Sequence, residues 1–141
     1  MHEKKHLEAL KEVRQTVDEA LKSDDILVFQ RRLASMLSLG LQHIVELYLH
    51  RLNAIKPGAY VKHEWFSMGD RNLRIKFSSI LTKPYEDISQ IHEIVSLARN
   101  IESDRNEILY GSPLVNGKLL KEKVYVFLEI KKIIEKTGEI P

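Results

Sequence analysis

Ile101-Glu102-Ser103-Asp104-Arg105-Asn106-Glu107-Ile108-Leu109-Tyr110-Gly111 is the stretch on which the fold reading turns. Around it, apolar residues recur at Ile91, Val95, Ala98, Ile101, Ile108 and Leu109, three or four apart, which is the spacing of one helix face. Arg105 lies on the same stripe, one turn after Ile101 and one turn before Ile108. A cation on the core side of a helix is costly unless something pairs with it. Gly111 is expected to stop the helix as a terminal glycine, with Pro113 close behind. The stretch therefore predicts a long helix over about 85–110 with one charged side chain turned inward.

The segments on either side carry the same period. Leu7, Leu10, Val13, Val17 and Leu21 predict a first helix from about His6 to Leu21. Ser23, Asp24 and Asp25 interrupt it and supply a cap for a longer second helix, about Asp25 to Ile55. That helix is apolar almost all round, through Ile26, Phe29, Leu33, Leu37, Ile44, Tyr48 and Leu52 and then Leu39, Leu41, Val45, Leu47 and Leu49. It reads as the central helix, with partners on several sides. Gly40 inside it allows a slight bend or a close helix approach. The segment Lys56 to Asp70, opened by Pro57-Gly58, is the one long interruption, and Asp70 is expected to cap a short helix carrying Leu73, Phe77 and Ile80. A last helix follows Gly111–Asn116, with Leu120, Val124, Phe127 and Ile134 inward. The expected fold is all-α, a single domain over 1–141 built as an up-and-down bundle of about five helices.

Composition limits the function classes. A chain of 141 residues can bury a proper core. It has no cysteine, which removes disulfides, thiolate zinc sites and cysteine nucleophiles. The start, Met1-His2-Glu3-Lys4-Lys5-His6, lacks the apolar core of a signal peptide, and the run Leu33 to Leu41 is too short to span a bilayer. A cytoplasmic protein with no membrane association is expected. The formal net charge of +2 is nearly balanced and does not by itself announce nucleic-acid binding. No Gly-rich phosphate loop, Ser-His-Asp order or paired-carboxylate signature is present.

The layout resembles the HEPN superfamily of small helical bundles. Gly40-Leu41-Gln42-His43-Ile44-Val45-Glu46-Leu47-Tyr48-Leu49-His50 is similar to the central helix of those proteins. Lys62-His63-Glu64-Trp65-Phe66 falls where many members carry a His followed by an apolar residue. Arg105-Asn106, before a Tyr-Gly turn, falls on their signature of an Arg and then a His four to six positions later. Here no His occurs downstream, and Tyr110 stands where it would be. In active members, which are metal-independent ribonucleases, the resemblance implies an Arg that stabilises phosphate charge and a His that assists proton transfer across a dimer interface. An unperturbed tyrosine, with a pKa near about 10, is a poor substitute.

The resemblance therefore implies a non-catalytic binding or dimerisation module with a degenerate nuclease site. Its expected partners are a second copy of the chain, a nucleotidyltransferase-like protein, and RNA or a nucleotide. The alternatives are a toxin-like, metal-independent ribonuclease using Tyr110 or His63, and a purely structural interaction protein. The candidate catalytic residues are Arg105, Tyr110 and His63, with Asn106, Arg99 and Asp104 beside the ligand. The competing reading of Arg105 is an ion pair with Glu102, Asp104 or Glu46. For Tyr110 it is an aromatic whose hydroxyl reaches solvent.

His43, Glu46 and His50 share a helix face at metal-ligand spacing, but the preferred reading is a solvated or partly packed face, so no metal and no cofactor is expected. Glu3 and His6 form the only E-x-x-H pair, at an amino terminus expected to fray. Tyr60, His63, Trp65 and Phe66 cluster in the longest loop, where Trp65 and Phe66 either stack on a base or plug the bundle's open end; the plug is preferred. Arg31-Arg32, Arg71, Arg74, Lys76 and Lys131-Lys132 read as solvated faces, although Arg71 and Arg74 lie one turn apart and could touch successive phosphates.

Overall fold

The computed structural model describes residues 2–141. Six α-helical segments and four short 3-10 turns make up the chain, without a named strand among the described residues. The helices are α1 (His2–Lys22), α2 (Gln30–Arg51), α3 (Asp70–Ile80), α4 (Ile91–Ser103), α5 (Arg105–Tyr110) and α6 (Lys118–Ile134). The all-helical bundle read from the periodicity is present. Among the described residues, no helix is long and apolar enough to cross a membrane.

Helix α2 is central because it is apolar on every side. From Ile44 to Leu49 each residue is buried, Glu46 included. At about 1.5–3 kcal/mol per fully buried large aliphatic side chain, this helix alone supplies much of the driving force for collapse. Its neighbours are identified by residue pairs. His6 meets Glu46, and the Val13 side chain approaches Gly40, so α1 runs antiparallel to α2. Ser38 meets Glu102 and Arg31 reaches Leu109, so α4 and α5 run antiparallel to it on another side. Phe127 of α6 closes against Gly40, where an added Cβ would meet its ring atoms at 2.8 and 2.9 Å. The glycine thus marks a close approach. The apolar surface that reads as central is covered within the chain: Leu41, Val45, Leu47 and Leu49 are all fully buried.

The 56–70 segment closes one end of the bundle. Lys56 N–H donates to the Ile80 carbonyl and Thr82 N–H to that of Ala54, each at 2.8 Å, in an isolated Ile55–Leu81 bridge. Trp65 and Phe66 form the plug, packing against Phe77, which also meets Tyr85. Gly69 rather than Asp70 holds the cap position of α3.

Several expected boundaries move. The second helix, expected over about Asp25 to Ile55, is α-helical only over Gln30–Arg51, and a separate 3-10 turn, Ile26–Phe29, precedes it. Residues 85–90 do not join α4, because Tyr85–Asp87 forms a 3-10 turn and Gln90 adopts a left-handed conformation with φ of 57°. The predicted long helix also breaks at Asp104. The carbonyl of Asn100 would accept the Asp104 N–H in an unbroken helix, but the Lys123 ammonium takes it at 2.6 Å and the Ser103 hydroxyl at 2.8 Å. Side chains that compete for a helical carbonyl end the ladder there. Gly111 ends α5 without the left-handed conformation expected of it, at φ −86°. A side chain there would strike the Glu107 carboxylate and carbonyl at 2.5 and 2.6 Å.

Candidate functional site

Helix α2 carries Ser38, Gln42 and Glu46 one turn apart, and this stripe organises the buried polar groups. Gln42 accepts the His63 backbone N–H at 2.8 Å, and Glu46 accepts that of Val61 at 2.7 Å. Two side chains thus staple the 61–63 loop to the central helix. The loop's own side chain, His63, turns in and donates from Nδ1 to Glu102 Oε1 at 2.6 Å. Glu102, buried on α4, also accepts the Ser38 hydroxyl at 2.6 Å. The arrangement is a half-exposed imidazole held by a buried carboxylate that a serine holds in turn. Such a carboxylate fixes the ring's orientation and tautomer, and Nε2 on the outer side lies 3.9 Å from the exposed Glu64 carboxylate.

Arg105 opens α5 in a crevice lined by Ala34, Leu37, Ile101, Ile108, Leu120 and Lys123. Its Nη1 donates to Asn106 Oδ1 at 2.9 Å, whereas its Nε is buried with no hydrogen-bond partner. No carboxylate pairs with it among the described residues. The three acids expected to do so are engaged elsewhere: Glu102 with His63, Asp104 with Lys123 at 2.7 Å, and Glu46 with His6 at 2.7 Å. Arg105 is therefore a cation on the core side of a helix without an anion.

The other candidates scatter. Tyr110 is 79% exposed at the end of α5, which leaves its ring in solvent. Arg99 holds the loop after Phe66, donating to the Phe66 and Met68 carbonyls at 3.3 and 2.7 Å and pairing with Asp70 at 3.2 Å. Asp104 lies beside Arg105 in sequence but serves Lys123. None of the residues that contact His63 lines the Arg105 crevice. Within the basic clusters, Arg74 pairs with Glu86 and stacks on Tyr85, and Arg32 lies over Phe29. Arg31 donates to the Leu109 carbonyl at 3.3 Å, which places a second cation at the far end of α5.

The face of α2 that bears His43, Glu46 and His50 is partly packed: Glu46 is buried, while His43 and His50 are half-buried. Helix α1 covers it and brings His6, 3% exposed, into its centre. His6 Nε2 donates to Glu46 Oε2, and its Nδ1 lies 2.9 Å from His43 Nδ1. Burial would raise the Glu46 carboxyl, but hydrogen bonds from His6 and Val61 outweigh it and hold the group below its ordinary value. Burial, with help from neighbouring His6, lowers His43. Sequence reasoning missed Ser38 altogether and named Glu102 only as a partner for Arg105, not for His63. Glu102 follows Ala98 by four on the inward stripe, and that spacing was the available signal.

No family model matches the chain, and no curated protein or solved structure does either.

Proposed function

We propose that the protein is a HEPN-like binding module that takes a phosphate of RNA at Arg105. The observation that supports this is the missing anion: a partly exposed arginine without a carboxylate partner, in a chain whose nearby carboxylates serve other cations. A guanidinium presents a fork of donors that matches a phosphate in two places, and the Asn106 side chain beside it adds a neutral polar contact. Arg31, at the other end of α5, gives the backbone of a longer ligand a second cation to follow.

A second reading, a metal-independent ribonuclease, is favoured by the His63–Glu102 pair, which is built like the proton-transfer half of an acid–base site. It requires His63 of one subunit to meet Arg105 of another, as the resemblance implies. A nucleotidyltransferase-like partner also comes from that resemblance.

The test is incubation of purified protein with a mixed RNA pool in EDTA, comparing wild type, Arg105→Ala and His63→Ala. Retention of intact RNA by wild type and His63→Ala, with at least about tenfold weaker binding by Arg105→Ala, is the expected result. Such a loss corresponds to about 1.4 kcal/mol. RNA that fails to bind wild type, or binds Arg105→Ala equally, overturns the reading. Cleavage that disappears in both variants puts the ribonuclease first, and light scattering then checks for the dimer it needs.

A further inference from the structure

Remote from the Arg105 crevice, the first turns of α1 and the second half of α2 enclose a different constellation. We propose that His6, Glu46 and His50 bind one divalent transition-metal ion of the zinc type. One ligand atom from each of the three lies within 4.8 Å of the others. Glu46 and His50 are four apart on α2 and project from one face, while His6 comes from α1 on the opposite wall.

The surrounding hydrogen bonds suit ligation. Val61 N–H occupies Glu46 Oε1 and so fixes the carboxylate, leaving Oε2 turned to His6. His43 faces His6 Nδ1 at 2.9 Å, so that with a metal on Nε2 the His6 Nδ1–H donates to His43. An outer partner on the far ring nitrogen is the usual companion of a metal-bound imidazole, since it sets tautomer and orientation. Arg51, next to His50 in sequence, turns its charge to Glu3 at 2.9 Å and its remaining donors to the Gly138 and Glu139 carbonyls. That clasp joins the start of α1 to the end of α2 and holds the two ligand-bearing segments together.

The geometry asks for a small adjustment. Nitrogen and oxygen ligands of tetrahedral zinc, each about 2.0–2.2 Å from the ion, stand about 3.3 Å apart. His6 Nε2 and Glu46 Oε2 now share a proton at 2.7 Å, so the metal replaces that proton as the pair opens slightly. The donor set selects the ion. Two imidazoles and one carboxylate suit zinc and its neighbours, whereas calcium and magnesium require more oxygens. Three protein ligands leave a fourth position, and His50, half-buried, forms the side from which water or an anion can reach it.

The experiment strips the protein with EDTA, removes the chelator and titrates with cobalt(II), then displaces it with zinc. Expected are a visible ligand-field band of a low-coordinate site saturating at one cobalt per chain, its loss on adding zinc, and a rise in Tm with zinc but not magnesium. His50→Ala leaves the His6–Glu46 pair intact, so it should fold and lose the band. His43→Ala should weaken binding by about 10–100-fold through the outer hydrogen bond. His92→Ala, on exposed α4 surface, should bind as wild type does. The proposal is overturned if wild type shows no band and retains no zinc, or if His50→Ala with a wild-type circular dichroism spectrum binds equally well.

Discussion

Replacing Arg105 by methionine should leave the protein as stable as before or more so, which is unusual for a residue in a core crevice. The substitution keeps an unbranched stem against Leu37, Ile101 and Ile108 and removes only the guanidinium. What is lost is one hydrogen bond to exposed Asn106, worth about 0.5–1 kcal/mol. What is relieved is a buried donor without a partner, which costs the native state about 1–3 kcal/mol. The balance runs from neutral to about 2 kcal/mol stabilising. For a chain of this size that is a Tm unchanged or raised by up to about 8 °C.

Lys123→Met in the same crevice supplies the opposite expectation. Lys123 is 4% exposed, and its ammonium bonds the Asn100 carbonyl and Asp104. Asp104 is partly exposed and can regain water, so the ion pair itself counts for no more than about 1 kcal/mol. The charged bond to a carbonyl adds about 1.5–3 kcal/mol, giving a loss of about 2–4 kcal/mol. Urea and thermal denaturation of the two variants beside wild type measure both. If Arg105→Met falls by 2 kcal/mol or more, Arg105 is a structural anchor and the ligand reading of the site fails.

Gly40→Ala should destabilise by about 1 kcal/mol, because overpacking costs about 1–3 kcal/mol against a helix-propensity gain of about 1. The added Cβ meets Phe127 ring atoms at 2.8 and 2.9 Å, so Phe127→Leu in the same chain should recover part of the loss; thermal melts that show no recovery place the strain elsewhere. Ser38→Ala should cost about 1.5–3 kcal/mol, since it takes a donor from buried Glu102. A melt within 1 °C of wild type would mean the Glu102 carboxylate is hydrated and the His63 pair is not held as described.

The helical periods were legible because burial on one face repeats every three or four residues whatever the helix packs against. Ile91, Val95, Ala98, Ile101 and Ile108 are all buried as their spacing requires. The break at Asp104 was not legible, since it depends on Lys123 arriving from another helix to take the Asn100 carbonyl. Periodicity also could not say that α2 would be covered by its own chain. An apolar surface all round a helix is the same pattern whether the cover is α1, α6 or a second molecule.

The same limit explains the site. From sequence, Arg105 had three acidic suitors and no way to choose, because the choice is made by cations that are distant along the chain. His63 and Glu102 are 39 positions apart, and His6 reaches α2 from the first helix. Each acid is instead taken by a group brought to it by the fold: Glu102 by His63, Asp104 by Lys123 and Glu46 by His6. Once the bundle closes, Glu46, Glu102 and Asp104 are committed, and Arg105 has no acid among the described residues to turn to. A site that emerges by elimination in this way leaves no short motif, which is why the arginine was visible in the sequence and its availability was not.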